Sequence, residues 1–269
     1  MTLRRQPGRD RSTSWGATAS EVEAPSRRGF IGAVAGAAAV SGLGLWSRPV
    51  RAARRHVLLL GDSMIAGAVG RVLEQRLRGE LGWKTTRQGK TSSGLARPDF
   101  YDWIAEGRRA REAAAPVDAV VVMLGGNDAQ GLYRPKKTRP TPDAKWIRWG
   151  QPEWMPEYRE RVRAFCEAVT AGDEQLFWIG MPVMGVSRLH ARMQELNALF
   201  VEEMGRRDAT FIDIWPTLAD DAGDFVERKA LAEGQPKTRI RAHDGIHLNT
   251  AGATLVVDEA LPIMKARLG

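Results

Sequence analysis

Short apolar runs alternate with longer amphipathic stretches through most of the chain. Continuous apolar runs are typical of strands buried on both faces, and they occur at 56–60, 118–124, 175–182 and 209–214, with a weaker candidate at 83–89. Helical periodicity between these runs predicts helices over about 65–80, 101–115, 156–170, 187–207 and 251–268. This alternation predicts an α/β fold with a parallel sheet covered by helices on both faces.

Residues 131–154 interrupt the alternation. The segment contains four prolines, a cluster of basic residues and three tryptophans, Trp146, Trp149 and Trp154. This composition predicts a long loop inserted after the third strand. Two interpretations stay open: the tryptophans bind a substrate, or they pack back on the body of the protein.

The charge of the chain is concentrated near its N-terminus. Residues 1–52 carry eight basic and three acidic groups, a net charge of +5, which leaves +3 of the total +8 for the rest. That remainder is too small to indicate a nucleic-acid partner. Arg27 and Arg28 precede a weakly apolar, Ala- and Gly-rich run, and small residues follow near Ala52. This layout predicts a twin-arginine export signal over 1–52, read by the twin-arginine export machinery, and a periplasmic or secreted mature domain over 53–269.

A membrane-spanning helix is the alternative for this N-terminal run. The uncharged stretch at 29–47 is long enough to cross a bilayer, but its many glycines and alanines make it a poor anchor. The single cysteine, Cys166, excludes an intramolecular disulfide, and its place in an amphipathic pattern predicts a packed apolar residue.

The candidate catalytic residues follow the predicted strands along the chain. Ser63, in "GDSM", comes directly after the first strand, where the carboxyl ends of parallel strands meet. Asn127, in "GGND", follows another strand and can donate to an oxyanion, and Gly94, in "SSGL", offers a further N–H donor. Taken alone, a helix cap at Asp62 or Ser63 and simple turns at the other two blocks explain the same residues.

The last block, "DGIH", places Asp244 three residues before His247. Histidine can take a serine proton, and a carboxylate can orient its ring. His243 and His247 also have the spacing of a metal pair on a helix, but Gly245 between them argues against a helix, and further ligands are absent from the pattern. Phosphate-binding glycine motifs are absent too, so we predict neither metal nor cofactor.

The four blocks in this order resemble the SGNH hydrolases, the GDSL-like lipase and acylhydrolase superfamily, and in particular an exported bacterial branch of uncertain substrate. The resemblance implies a three-layer α/β/α sandwich with a mainly parallel five-stranded sheet of flavodoxin-like order. It also implies Ser63 as nucleophile, His247 as general base and Asp244 as its partner, with an oxyanion hole from Ser63, Gly94 and Asn127. Met64 replaces the leucine of the family pattern.

The function we predict is a periplasmic serine esterase that hydrolyses an acetyl or short-chain ester, on a small molecule or a glycan, through an acyl-enzyme. The tryptophans at 146, 149 and 154 are candidate sugar-stacking residues, and Arg134, Lys136 and Lys137 are candidates to meet an anionic glycan. Two alternatives remain at this stage: an O-acyltransferase with the same residues, and a non-catalytic glycan-binding or assembly protein.

Overall fold

Five parallel strands form the centre of the protein. The computed structural model describes residues 54–269, and the expected export signal at 1–52 lies outside the described residues. In chain order the strands are β1 (His56–Gly61), β2 (Lys84–Gly89), β3 (Ala119–Met123), β4 (Leu132–Tyr133), β5 (Trp146–Ile147), β6 (Gln175–Ile179), β7 (Ala209–Ile212), β8 (Arg228–Lys229) and β9 (Thr238–Arg239). The central sheet has the order β2-β1-β3-β6-β7, and every neighbouring pair in it is parallel.

Helices cover both faces of this sheet. In chain order they are α1 (Ser63–Ala66), α2 (Ala68–Leu81), α3 (Trp103–Ala114), α4 (Trp154–Val169), α5 (Ser187–Gly205), α6 (Trp215–Leu218) and α7 (Thr250–Leu268). Helix α2 packs on α7, and α3 packs on α4. The predicted three-layer α/β/α sandwich with a five-stranded parallel sheet is therefore confirmed.

Burial of the strands explains why they could be predicted from the sequence. All residues of β1 and β3 are buried, because both strands lie inside the sheet with helices above and below. Cys166 on α4 is buried as well, which confirms its prediction as a packed apolar residue. None of the helices in residues 54–269 combines the length and apolar character needed to cross a membrane.

The predicted helix at 65–80 is wrong at its beginning. The chain forms the single turn α1 and then breaks at Gly67, whose φ of −92° and ψ of −140° are not helical. The Gly67 N–H donates to the Ser63 carbonyl at 2.8 Å, and a Cβ at Gly67 would lie 2.6 Å from that same oxygen. Ser63 therefore lies at the start of a short turn, and the long helix α2 begins only at Ala68.

Residues 131–154, named the hairpin here, contain more regular structure than the predicted loop. Strands β4 and β5 pair antiparallel, with Leu132 opposite Ile147 and Tyr133 opposite Trp146, and a short 3-10 turn at Lys136–Thr138 lies between them. The Tyr133 N–H donates to the carbonyl of Ala96 at 2.9 Å. The hairpin is thereby joined to the segment that follows β2.

Candidate active site

Ser63, His247 and Asp244 meet at the carboxyl edge of the central sheet. His247 Nε2 lies 2.7 Å from Ser63 Oγ, although 184 residues separate them along the chain. On the other side of the ring, Nδ1 lies 2.6 Å from Asp244 Oδ2. The structure thus brings together the three side chains that the sequence singled out, in the order needed to pass a proton from hydroxyl to imidazole.

A tight turn holds Asp244 against His247. Backbone N–H groups of Ile246 and His247 both donate to Asp244 Oδ1 at 2.9 Å, and Gly245 between them has a φ of +68°. Partial burial acts to raise the pKa of Asp244, but the hydrogen bonds from the His247 ring and from the two N–H groups outweigh it and lower the pKa to about 2. Asp244 is therefore a carboxylate at neutral pH and can accept from the His247 ring.

Two of the three expected oxyanion donors, Gly94 and Asn127, lie on neighbouring loops, and the third, the Ser63 N–H, lies at the start of α1. Asn127 Nδ2 donates to the Ser93 carbonyl at 3.0 Å, which ties the loop after β3 to the residue before Gly94. The Ser93 hydroxyl is fixed in turn, because it donates to the Lys90 carbonyl and accepts from Trp103 Nε1. An amide NH₂ group has two donors, so Asn127 keeps one N–H for a substrate oxygen.

Asp128, next to Asn127, is a residue whose importance sequence reasoning missed. Its carboxylate is fully buried and accepts from the Ala96 N–H at 2.7 Å and from the Tyr158 hydroxyl at 2.8 Å. Burial raises the pKa of Asp128, and these hydrogen bonds oppose the rise. A Cβ at Gly94 would lie 2.7 Å from Asp128 Cγ, so the glycine in "SSGL" makes room for this carboxylate.

Asp62 was expected only as a helix cap, and its burial is the feature that sequence reasoning missed. Its Oδ1 accepts from the Met64 N–H at 2.9 Å and so caps α1 directly beside Ser63, and its buried Oδ2 lies beside the backbone of Gly126. Burial raises the pKa of Asp62 to about 7, against the opposing backbone hydrogen bonds from Met64 and Gly126, and the nearby charge of Asp128 adds to the rise. A buried acid that titrates near neutral pH therefore adjoins the candidate nucleophile.

A pocket of about 320 Å³ contains the reacting groups. Ser63 and His247 line it together with Gly67, Arg71 and Asn249. A larger cavity of about 860 Å³ lies at the opposite edge of the sheet, but its lining includes the ion pairs Arg55–Asp118, Arg111–Glu174 and Arg267–Asp208. We place the candidate active site in the smaller pocket, because the nucleophile and its base are there.

The sequence matches the family model described as "Protein of unknown function (DUF459)" over residues 56–262. The chain belongs to the DUF459 family. No curated protein is similar enough in sequence to be matched to it.

Solved structures share the fold of this DUF459 protein at low sequence identity. A carbohydrate acetylesterase family member from Sinorhizobium meliloti aligns with a TM-score of 0.55 and 16% identity over 80% of this chain and 99% of that one. An inhibitor-bound aryl esterase from M. smegmatis aligns with a TM-score of 0.53 and 13% identity, over 80% of this chain and 100% of that one. A GDSL-like lipase from Bacteroides thetaiotaomicron aligns with a TM-score of 0.52 and 12% identity, over 79% of this chain and 89% of that one. The expected resemblance to the SGNH hydrolases is confirmed at the level of the fold.

The three tryptophans of the DUF459 hairpin have different environments. Trp154 is 1% exposed, stacks on Tyr158 and donates from Nε1 to the Gln130 carbonyl, so its expected role in stacking on a sugar is wrong. Trp149 is half-buried, with its ring against Trp154. Trp146 is 38% exposed, and the side chains of Arg97 and Lys145 lie 5.1 and 5.6 Å from its ring centroid. Of the two interpretations that the sequence left open, packing on the body of the protein applies to Trp154. Trp146 is the most accessible of the three and is the better candidate for contact with a ligand.

Proposed function

We propose that this DUF459 protein is an exported serine esterase that hydrolyses a short acyl ester, with Ser63, His247 and Asp244 as its catalytic residues. The observation that carries the proposal is the 2.7 Å contact between Ser63 Oγ and His247 Nε2, with Asp244 at 2.6 Å on the far side of the ring. A nucleophile, a base and a group that orients the base within hydrogen-bond reach are the requirements of acyl transfer through serine.

The reaction would proceed in two steps. Ser63 Oγ attacks the ester carbonyl carbon while its proton passes to His247 Nε2, and the carbonyl oxygen becomes an oxyanion. The intermediate collapses as His247 returns the proton to the leaving alcohol, which breaks the ester bond and leaves an acyl group on Ser63. Water then attacks this acyl-enzyme, with His247 as base, and the acid is released. Backbone N–H groups of Ser63 and Gly94 and the Asn127 amide are the proposed oxyanion donors.

We also propose that the ester is linked to a carbohydrate. The partial exposure of Trp146 on the hairpin supports this choice, since aromatic side chains contact sugar rings. A carbohydrate acetylesterase family member is also among the proteins that share the fold. An export signal at 1–52 would deliver the enzyme to glycans outside the cytoplasm.

Hydrolysis of p-nitrophenyl acetate and of acetylated oligosaccharides by wild type, Ser63→Ala and His247→Ala tests the chemistry. We expect both variants to lose activity and to keep the circular dichroism spectrum and unfolding midpoint of the wild type. A fluorophosphonate probe should label the wild type at Ser63. Equal turnover by wild type and Ser63→Ala would remove the proposed nucleophile.

Replacement of Asn127 with alanine tests the oxyanion role. A side-chain donor to the oxyanion is worth about 3 kcal/mol in the barrier, so kcat is expected to fall by roughly 10²–10³. The unfolding midpoint should change much less, since the side chain makes one bond to the Ser93 carbonyl. A fall in stability without a fall in kcat would reassign Asn127 to holding the loop.

A further inference from the structure

Positive charge is concentrated on the hairpin. Residues 134–148 contain six basic groups and one acidic group, a net charge of +5. The described chain, 54–269, has a net charge of only +3, so the remainder of it is slightly acidic. A uniform surface charge would not produce this distribution, and a local excess of one sign attracts an oppositely charged ligand.

Within residues 54–269, no carboxylate forms an ion pair with a basic side chain of the hairpin. Ion pairs hold many arginines elsewhere in residues 54–269, but none includes the six basic side chains of the hairpin: Arg134, Lys136, Lys137, Arg139, Lys145 and Arg148. Lys136, Lys137 and Lys145 are exposed. Their charges are therefore available to an anion from outside the chain.

Aromatic rings lie among these cations. Lys145 Nζ is 5.6 Å from the ring centroids of both Tyr133 and Trp146. A second pair lies on the segment after β2, where Phe100 is 52% exposed and Lys90 Nζ is 5.6 Å from its centroid. Exposed rings beside ammonium groups offer apolar contact and charge at one place.

This surface is joined to the candidate active site. Arg161 is buried and donates to the carbonyls of Leu95 and Ala96, which follow Gly94, and to the carbonyl of Tyr133 on the hairpin. Lys90 is joined to β1 through its N–H, which donates to the Gly61 carbonyl two residues before Ser63. A polymer bound along the hairpin would therefore pass close to the loop that carries the proposed oxyanion donors.

We propose that the hairpin binds a carboxylate-bearing polysaccharide, a polyuronate, and presents its acyl esters to Ser63. A uronic acid carries its carboxylate on the sugar ring itself, so ring contact and charge pairing must be adjacent, as Trp146 and Lys145 are. Nucleic acid fits less well, because the charge excess is confined to one short hairpin and the rest of the described chain, which is slightly acidic, offers no continuous basic surface to a long phosphate backbone. This inference rests on the proposed function, because the bound polymer is proposed to present its esters to Ser63. Binding itself can be measured without turnover.

The test uses the Ser63→Ala protein and isothermal titration calorimetry with polygalacturonate at low and high salt. We expect binding that weakens with salt and is lost when the polymer is methyl-esterified, because the carboxylates are then neutral. Lys136→Gln/Lys137→Gln should weaken binding roughly three- to tenfold, since each exposed charge contact contributes modestly. Trp146→Ala should weaken it about tenfold through lost ring contact.

Lys84→Gln/Lys265→Gln is the matched control. Both lysines are exposed; Lys84 lies at the beginning of β2 and Lys265 near the end of α7. The control therefore removes an equal number of positive charges, but at the opposite edge of the sheet. This control should stay within about twofold of its parent. An absence of binding, equal binding to single-stranded DNA or dextran sulfate, or equal loss in the control would overturn the proposal. Esterase activity on p-nitrophenyl acetate would still stand, so the two failures are distinguishable.

Discussion

Replacement of Gly94 with alanine tests whether the candidate oxyanion loop is braced by the buried carboxylate of Asp128. The new Cβ would lie 2.7 Å from Asp128 Cγ and closer still to Oδ1. The carboxylate cannot simply move away, because Ala96 N–H and the Tyr158 hydroxyl hold its two oxygens at 2.7 and 2.8 Å. Either this buried network or the Gly94 loop must therefore shift.

The magnitude follows from the cost of overpacking. Forcing a methyl group into a filled interior costs about 1–3 kcal/mol, and each kcal/mol lowers the melting temperature of a domain of this size by roughly 2–4 °C. Since misplacement of catalytic groups by about 1 Å can cost a hundredfold in rate, kcat/KM on p-nitrophenyl acetate should fall by about that factor.

Gly79→Ala is the matched control for this substitution. Gly79 lies within α2, and a Cβ there would meet no atom within 4 Å. Alanine is favoured over glycine inside a helix by about 1 kcal/mol, so this variant should be more stable and equally active. Denaturant unfolding and ester hydrolysis measure both variants. A Gly94→Ala protein with wild-type stability and wild-type kcat/KM would refute the reasoning.

Two further predictions concern buried titratable groups. The pKa of Asp62 is raised to about 7 in the folded protein from about 3.8, so the folded state binds more protons between these values and the wild type loses stability as pH rises from about 4 to 7. Asp62→Asn should lack this loss, and urea unfolding from pH 4 to 8 measures it; parallel curves for the two proteins would contradict the assignment. Cys166 is buried and burial raises its thiol pKa to about 12, so iodoacetamide should label it only after unfolding, and rapid labelling of the native protein would refute that.

The sequence predicted the sheet, and the proximity of Ser63, His247 and Asp244, better than the segments between the strands. Strands such as β3 are apolar along their whole length, and this local signal survives in any fold that buries both faces. The break at Gly67 depends on a carbonyl of Ser63 in the folded turn, which a helical pattern does not encode. The β4–β5 pairing depends likewise on contacts across 14 residues of chain, between Leu132 and Ile147 at its outer pair.

Buried polar residues were the least predictable part of the site. In sequence, Asp128 reads as the second half of an Asn-Asp turn, and only packing shows that it accepts from Tyr158, 30 residues away. Asp62 reads as a helix cap, which it is, but its burial and its raised pKa come from strands and loops that surround it in space. The role of a single buried carboxylate of this kind can be assigned only when its tertiary contacts are known.

Asp128 and Arg161 together join the hairpin to two of the four sequence blocks, those that contain Gly94 and Asn127. Asp128 joins the loop after β3 to Ala96 and to Tyr158 of α4, and Arg161, one turn further along α4, joins the same segment to Tyr133 of the hairpin. Both groups are buried, so leaving either without its partners would cost the desolvation free energy of a charged group. The hairpin and the Gly94 loop therefore cannot move independently without breaking this network. A ligand held on the hairpin and an oxyanion held beside Ser63 would consequently be positioned by the same side chains.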